Sequence, residues 1–219
     1  MILEIDNIEL SYGDKFILNG IYIKVEKGKV TGILGRNGCG KSSLLKIVFG
    51  HLKPQNKLIR IDGKHQSKPL YLSKKVKYLS QIDTIPKNIP LKRVFRLFDL
   101  TWENFVSDFK TFRKYKNPHI YDLSGGEKRI IETYLMLMSS GDIALLDEPF
   151  SNITPLYVEK FIELIEKEKA YKIIIITDHM YRQILNVSDE LYLIKDNTSI
   201  PIKESSQLVD YGYLNYLPT

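Results

Sequence analysis

Two groups of residues in this sequence could do chemistry on a phosphate. The first is Gly35-Arg36-Asn37-Gly38-Cys39-Gly40-Lys41-Ser42, followed by Ser43. Its glycines let the backbone turn back on itself and bring amide N–H groups close to an anion. A helix starting at Lys41 would add about half a positive charge at its N-terminus. In this spacing Lys41 reaches the β- and γ-phosphates of a nucleotide and Ser42 offers its hydroxyl to Mg²⁺. Cys39 sits inside the loop, where its role is to be small. The second group is Ile143-Ala144-Leu145-Leu146-Asp147-Glu148, two acids at the end of an apolar run. In open α/β sheets, ligands gather at the carboxyl ends of buried strands. There Asp147 suits holding Mg²⁺ through its water shell, and Glu148 suits orienting or deprotonating a water that attacks the γ-phosphate. Each group also has a plainer reading, as a glycine-rich turn and as a polar strand end. Together they supply the phosphate cradle, metal ligand and water-positioning group that ATP chemistry needs.

These residues need elements to hold them. Residues 2–10 alternate apolar and polar, as a half-buried strand does, and residues 16–25 read as a second strand after which Lys27-Gly28 turns the chain. Antiparallel strands should therefore open the fold. Val30 to Leu34 is a short apolar run into the glycine-rich turn, and a helix should follow from Lys41 to Phe49. Further strands are expected at Lys57–Ile61 and Lys75–Leu79. Residues 91–116 have helical spacing up to Pro118, and a second long helix fits Gly126 to Met138. Residues 156–169 place Val158, Phe161, Ile162 and Ile165 on one helix face, followed by an apolar run at Ile173–Ile176. Short apolar runs alternating with helices predict a parallel sheet covered on both faces. The last fifteen residues show no clear period and suggest no role.

Bulk properties narrow the function classes. The net charge of +6 is spread along the chain without a basic block, so no stable nucleic-acid binding is expected. One cysteine rules out an intrachain disulfide and a cysteine-rich metal site. The first residues, Met1-Ile2-Leu3-Glu4-Ile5-Asp6, carry acids where a signal peptide would be basic and then apolar. The longest uncharged stretch, Pro149 to Val158, contains two prolines and is far short of the ~20 apolar residues of a membrane-spanning helix. Any membrane role is therefore expected to need a partner.

Leu123-Ser124-Gly125-Gly126-Glu127 has a sound local reading: Ser124 with Glu127 three residues later is a capping box that starts a helix. Lying between a phosphate loop and a strand-end Asp-Glu pair, it resembles the signature motif of the ATP-binding-cassette (ABC) family. The resemblance covers about residues 1–200. It implies an α/β fold of the P-loop NTPase kind, with a mixed or parallel sheet core, an N-terminal antiparallel β subdomain and a small helical subdomain. Residues 1–81 and 136–205 would form the nucleotide-binding lobe, 82–135 the helical signature lobe and 206–219 a tail.

The same resemblance implies roles for further residues. Gln81 would contact Mg²⁺ and sense the γ-phosphate, His179 in Thr177-Asp178-His179 would be the switch histidine, and Tyr12 would stack on adenine. It implies a head-to-tail pair of cassettes, a homodimer or two related chains. Each ATP would then lie between the phosphate loop of one copy and Ser124, Gly125, Gly126 and Glu127 of the other. It departs from the family pattern after Asp147-Glu148-Pro149, where Ser151-Asn152-Ile153-Thr154 places Thr154 at the usual aspartate; coupling between two sites is what that touches. The expected activity is ATP hydrolysis that powers transport through a separate membrane permease, with the chain peripheral on the cytoplasmic face of the membrane. The competing expectation is a soluble cassette ATPase acting on nucleic acid, ribosomes or cofactor assembly. The chain lacks the long coiled-coil insert and the second cassette that such relatives carry.

Overall fold

A computed structural model describes residues 1–82, 85–86, 88–116 and 118–216. The expected helical lobe and tail thus include positions, among them 217–219, that lie outside the described residues. The chain opens with β1 (Ile2–Tyr12) and β2 (Lys15–Glu26), an antiparallel pair in which the alternation expected over residues 2–10 is broken: Leu3 and Ile5 are buried, then Ile8 and Leu10, because the pairing register shifts at Asn7, which has a positive φ of 49°. β3 (Val30–Gly35) is buried along its whole length and runs into the glycine loop before α1 (Lys41–Phe49). β4 (Asn56–Ile61) and β5 (Lys64–His65) return to the first pair, which gives a four-stranded antiparallel sheet in the order β2-β1-β4-β5.

The second sheet carries the catalytic candidates. β6 (Val76–Leu79) lies at one edge. Then follow α2 (Leu91–Leu97), α3 (Trp102–Asp108), α4 (Gly125–Met138), β7 (Ile143–Asp147), α5 (Pro155–Glu168), β8 (Ile173–Thr177), α6 (Tyr181–Val187), β9 (Glu190–Lys195), β10 (Thr198–Ile202) and α7 (Gln207–Asp210). The strand order is β10-β9-β3-β8-β7-β6, parallel except for the β9–β10 pair. Both faces of its central strands are dry. Ala144, Leu146, Ile174 and Ile176 join the apolar cluster that extends under α4 and α5, whereas Ile143, Leu145, Ile173 and Ile175 join the cluster shared with α1 and the antiparallel sheet. That is why β7 and β8 read as unbroken apolar runs rather than alternating ones.

Residues 91–116 do not form one helix. Asp99 has a positive φ of 57°, which breaks the helical path, and Thr101 restarts it by accepting a hydrogen bond from the Asn104 N–H at 3.2 Å. α2, α3 and a 3₁₀ turn at Lys110–Lys114 result. Their aromatic side chains meet in one cluster. The Phe105 ring lies 4.9–5.3 Å from those of Phe95, Trp102, Phe109, Phe112 and Tyr134. The cluster is continuous with the sheet's apolar cover through α4, which also runs without a break across the expected boundary at 135/136. The tail is less irregular than its sequence suggests. Leu208 is fully buried, and α7 packs it and Leu214 into the same cluster.

Phe105→Ala should lower the unfolding free energy by about 3–5 kcal/mol, because five aromatic neighbours cannot all close the cavity. Urea titration followed by circular dichroism measures it, and a loss below ~1 kcal/mol would contradict the packing described.

Candidate active site

The glycine loop owes its path to close packing. Gly40 ends it at φ 103°, and a Cβ there would come within 2.7 Å of the Leu18 side chain. Only glycine satisfies both the dihedral and the space. Lys41 follows as the first helical residue and is buried, its ammonium donating to the Gly35 carbonyl at 2.7 Å and the Arg36 carbonyl at 3.3 Å. These bonds hold the charge over the mouth of the loop. A cleft of about 640 Å³ opens there. Its walls are Tyr12, Ile17, Asn37, Gly38, Gly40, Lys41, Ser42, Ser43, Gln81, Glu148 and His179. Arg36 and Cys39 face the other way, into a separate cavity of about 420 Å³ beside Tyr211, Gly212 and Tyr213. Burial pushes the Cys39 thiol up.

Asp147 forms the floor. Its carboxylate accepts hydrogen bonds from Ser42 Oγ at 3.0 Å, Thr177 Oγ1 at 2.7 Å and Tyr78 OH at 3.4 Å. Burial raises its carboxyl above the ordinary value, and the Thr177 and Ser42 hydroxyls pull against that rise. Gln81 Nε2 donates to Ser42 Oγ at 3.1 Å, so hydroxyl, carboxylate and amide meet at one point. Among the described residues no group of three or more His, Cys, Asp or Glu side chains could hold a metal. An oxygen set of Ser42, Asp147 and Gln81 fits Mg²⁺, which takes few protein ligands and completes its shell with water and phosphate oxygens.

Glu148 stands one residue beyond the strand, at a positive φ of 54°. Its N–H donates to the Thr177 carbonyl at 2.7 Å, and its carboxylate accepts from Ser151 Oγ at 3.2 Å. His179 Nδ1 lies 3.8 Å from the same carboxylate and 3.3 Å from Asp178, which is buried and accepts N–H bonds from Phe150 and Met180. Burial raises the Asp178 carboxyl.

The expected signature residues start α4 away from this cleft. Ser124 caps the helix, accepting from the Glu127 N–H at 3.3 Å while Glu127 accepts from the Ser124 N–H at 3.0 Å. Burial raises the Glu127 carboxyl, but hydrogen bonds from Ser124, Lys114 and Tyr115 outweigh it and hold the group at about 2. Gly126 passes so close to the next loop that a Cβ would sit 2.4 Å from the Asn152 carbonyl oxygen. Gly125 lines a small polar cavity of about 240 Å³ with Gln81, Arg129, Glu132 and Glu148. Thr154 is the N-cap of α5 and makes no side-chain capping bond.

Four residues of the site escaped the sequence reading. Thr177 and Asp178 adjoin His179 at the end of β8, and Tyr78 lies just before Gln81; their positions at strand ends were available signals. Arg129 had none, since its partners among the described residues are carbonyls of distant backbone and Glu132.

The sequence pattern of the family described as ABC transporter matches residues 18–151, more than half of the chain. The chain belongs to that family. An uncharacterized ABC transporter ATP-binding protein of Methanocaldococcus jannaschii is 33% identical over 216 residues, covering 90% of this chain and 83% of that protein. A probable ABC transporter ATP-binding protein of Cyanophora paradoxa is 30% identical, covering 88% of this chain and 84% of its own. A solved structure described as an ATP binding subunit of an ABC transporter superposes with a TM-score of 0.83 over 97% of this chain and 94% of its own; at 18% identity it shows the fold.

The Glu127 cap should make α4 acid-sensitive. A carboxyl depressed in the folded state stabilises above its ordinary value of 4.5 and ceases to as pH falls towards about 2. Urea midpoints of the parent and Glu127→Gln should therefore differ at neutral pH and converge across that window. A gap independent of pH would refute the assignment.

Proposed function

We propose that this chain hydrolyses ATP and that the hydrolysis powers substrate transport through a separate membrane permease. The observation that carries the reading is the meeting of the glycine loop, Gln81, Asp147, Glu148 and His179 around one cleft. The loop amides and Lys41 bind the phosphates, and Tyr12 offers its ring to adenine at the open end. Ser42, Gln81 and Asp147 would hold Mg²⁺, which supplies charge neutralisation between the phosphate oxygens. Glu148 orients a water in line with the γ-phosphorus and takes its proton. The bond to the bridging oxygen breaks, leaving ADP and inorganic phosphate. His179, beside Glu148, is placed to contact the γ-phosphate.

On this reading residues 1–81 and 136–205 form the nucleotide lobe, 82–135 the signature lobe and 206–219 the tail. Ser124 is exposed and outside its own cleft, which supports a second cassette, identical or related, supplying Ser124, Gly125, Gly126 and Glu127 to the opposite ATP. Among the described residues no helix is long and apolar enough to cross a membrane, so the permease is another chain or another segment. The chain would then work at the cytoplasmic face of the membrane. A groove of about 530 Å³ is the surface we assign to it. Phe49, Tyr78, Val94, Leu97 and Phe98 line it, with Lys46 and Lys77 beside them. Ser80 and Ile82, on either side of Gln81, also line it and connect it to the cleft. Its apolar floor and lysines fit a short amphipathic helix of the permease with acidic flanks.

Mg²⁺-ATPase assays of the parent and Glu148→Gln, with light scattering, test the chemistry. The parent should turn over ATP, and the variant should fall at least ~100-fold while ATP holds it as a dimer. Absence of hydrolysis and of ATP-dependent dimerisation in both would sink the reading. For the groove, Leu97→Asp should leave turnover of the isolated chain within about twofold. It should weaken binding to a candidate permease about tenfold or more in a pull-down titration, and unchanged binding would remove the groove from the interface.

A further inference from the structure

One cation close to the cleft takes no part in the steps above. Arg129 lies near the start of α4, its side chain 10% exposed. Its guanidinium does not reach for a catalytic carboxylate. It donates to backbone carbonyls instead: Nη1 to Ser80 at 2.6 Å, Nε and Nη2 to Glu148 at 3.1 and 2.9 Å, and Nη2 also to Asp147. Glu132, one turn along the same helix, stands 3.8 Å from Nη1 and balances the charge. The three carbonyls belong to the residue before Gln81, to the last residue of β7 and to the residue after it. A guanidinium presents its donors in a rigid planar fork. One side chain therefore fixes the spacing between the signature helix, the Gln81 loop and the end of the strand.

Glu148 needs such a fixture. Its φ of 54° lies in the left-handed region that a residue with a Cβ seldom occupies. Its N–H is tied to the Thr177 carbonyl, and its own carbonyl accepts from two nitrogens of Arg129. Both flanking peptide groups are thus held, and the carboxylate is aimed by the backbone beneath it. We infer that Arg129 is a positioning residue for hydrolysis, holding Glu148 in its turn and binding the Gln81 loop and α4 to it. The inference rests on the reading of Glu148 as the group that acts on the attacking water. A shift of α4 against the sheet then reaches Glu148 through Arg129, with no contact between Arg129 and nucleotide.

The test compares the parent with Arg129→Lys and Arg129→Gln. Lysine keeps the charge but offers one compact ammonium; glutamine keeps an amide donor without charge. Four quantities are read: kcat, KM, the Kd of a fluorescent ATP analogue, and Tm. A misplaced catalytic group lowers turnover without lowering ground-state binding, so kcat should fall roughly 10- to 100-fold with KM and Kd within about twofold. Lysine should be the milder change. Combined with Glu148→Gln, Arg129→Lys should cost no further turnover, because both act through one group. The inference is overturned by unchanged kcat, by parallel loss of kcat and nucleotide affinity, or by loss of the folded state in both variants. A parent that turns over no ATP overturns the functional reading along with it, and that result is distinct because it appears before any Arg129 variant is made.

Discussion

Asp147 places a carboxylate on the floor of the sheet with 1% of its surface exposed, where water cannot solvate it. A buried charge is tolerated only if it is hydrogen-bonded or paired with a cation. Hydroxyls arrive from α1, β8 and β6, as Ser42, Thr177 and Tyr78. Each of those donors fixes the end of its own element relative to β7. The phosphate loop is therefore held to the strand that carries the acids by the same bonds that satisfy Asp147. Gln81 joins through Ser42, and Glu148 follows by being the next residue. A single desolvated carboxylate thus ties together three strand ends and the start of α1.

Much of this was legible in the sequence because it is local. A glycine loop flanked by an apolar run and a helix has few physical uses, and so do two acids ending a buried strand. The antiparallel opening was expected from alternation in residues 2–10, which holds only on either side of the register shift at Asn7, and the capping box at Ser124 and Glu127 was written in the spacing of the two residues. What failed was also physical. Helical spacing over 91–116 was real in each half, but a left-handed Asp99 cannot be read from side-chain periodicity, so one helix was expected where two stand. Arg129 stayed hidden for a different reason. A carbonyl acceptor carries no residue identity, so nothing in the letters at Ser80, Asp147 or Glu148 announces an arginine partner. The tail was opaque because, among its described residues, only Leu208 and Leu214 are buried, too few positions to make a period.

Two cavities that meet the phosphate loop have opposite characters. The cleft is lined by the loop, by Lys41 and by one acid, Glu148. Behind the loop, Arg36 and Cys39 turn to a cavity walled by β9 and the tail, where Arg36 donates to the Gly212 carbonyl at 3.4 Å and Lys195 to the Tyr211 carbonyl at 2.8 Å. The loop is thereby tied from beneath to β9 and the tail. This division accounts for the variety of residue types inside a short motif: some face the cleft, others the protein behind it.

The central strands, dry on both faces, have a mechanical consequence. β3, β7 and β8 form a plate clamped between two apolar clusters, with β6 along one edge, and the carboxyl ends of these strands lead to the loop, Asp147, Thr177 and Gln81 at one rim. Such a plate resists bending, because any curvature would open voids on one side and crowd the other. A displacement imposed at the rim is therefore poorly absorbed in the body of the sheet. It passes to whatever is attached at that edge with more compliance, and α4, coupled there by a fork of hydrogen bonds, is the lever arm best placed to carry it away.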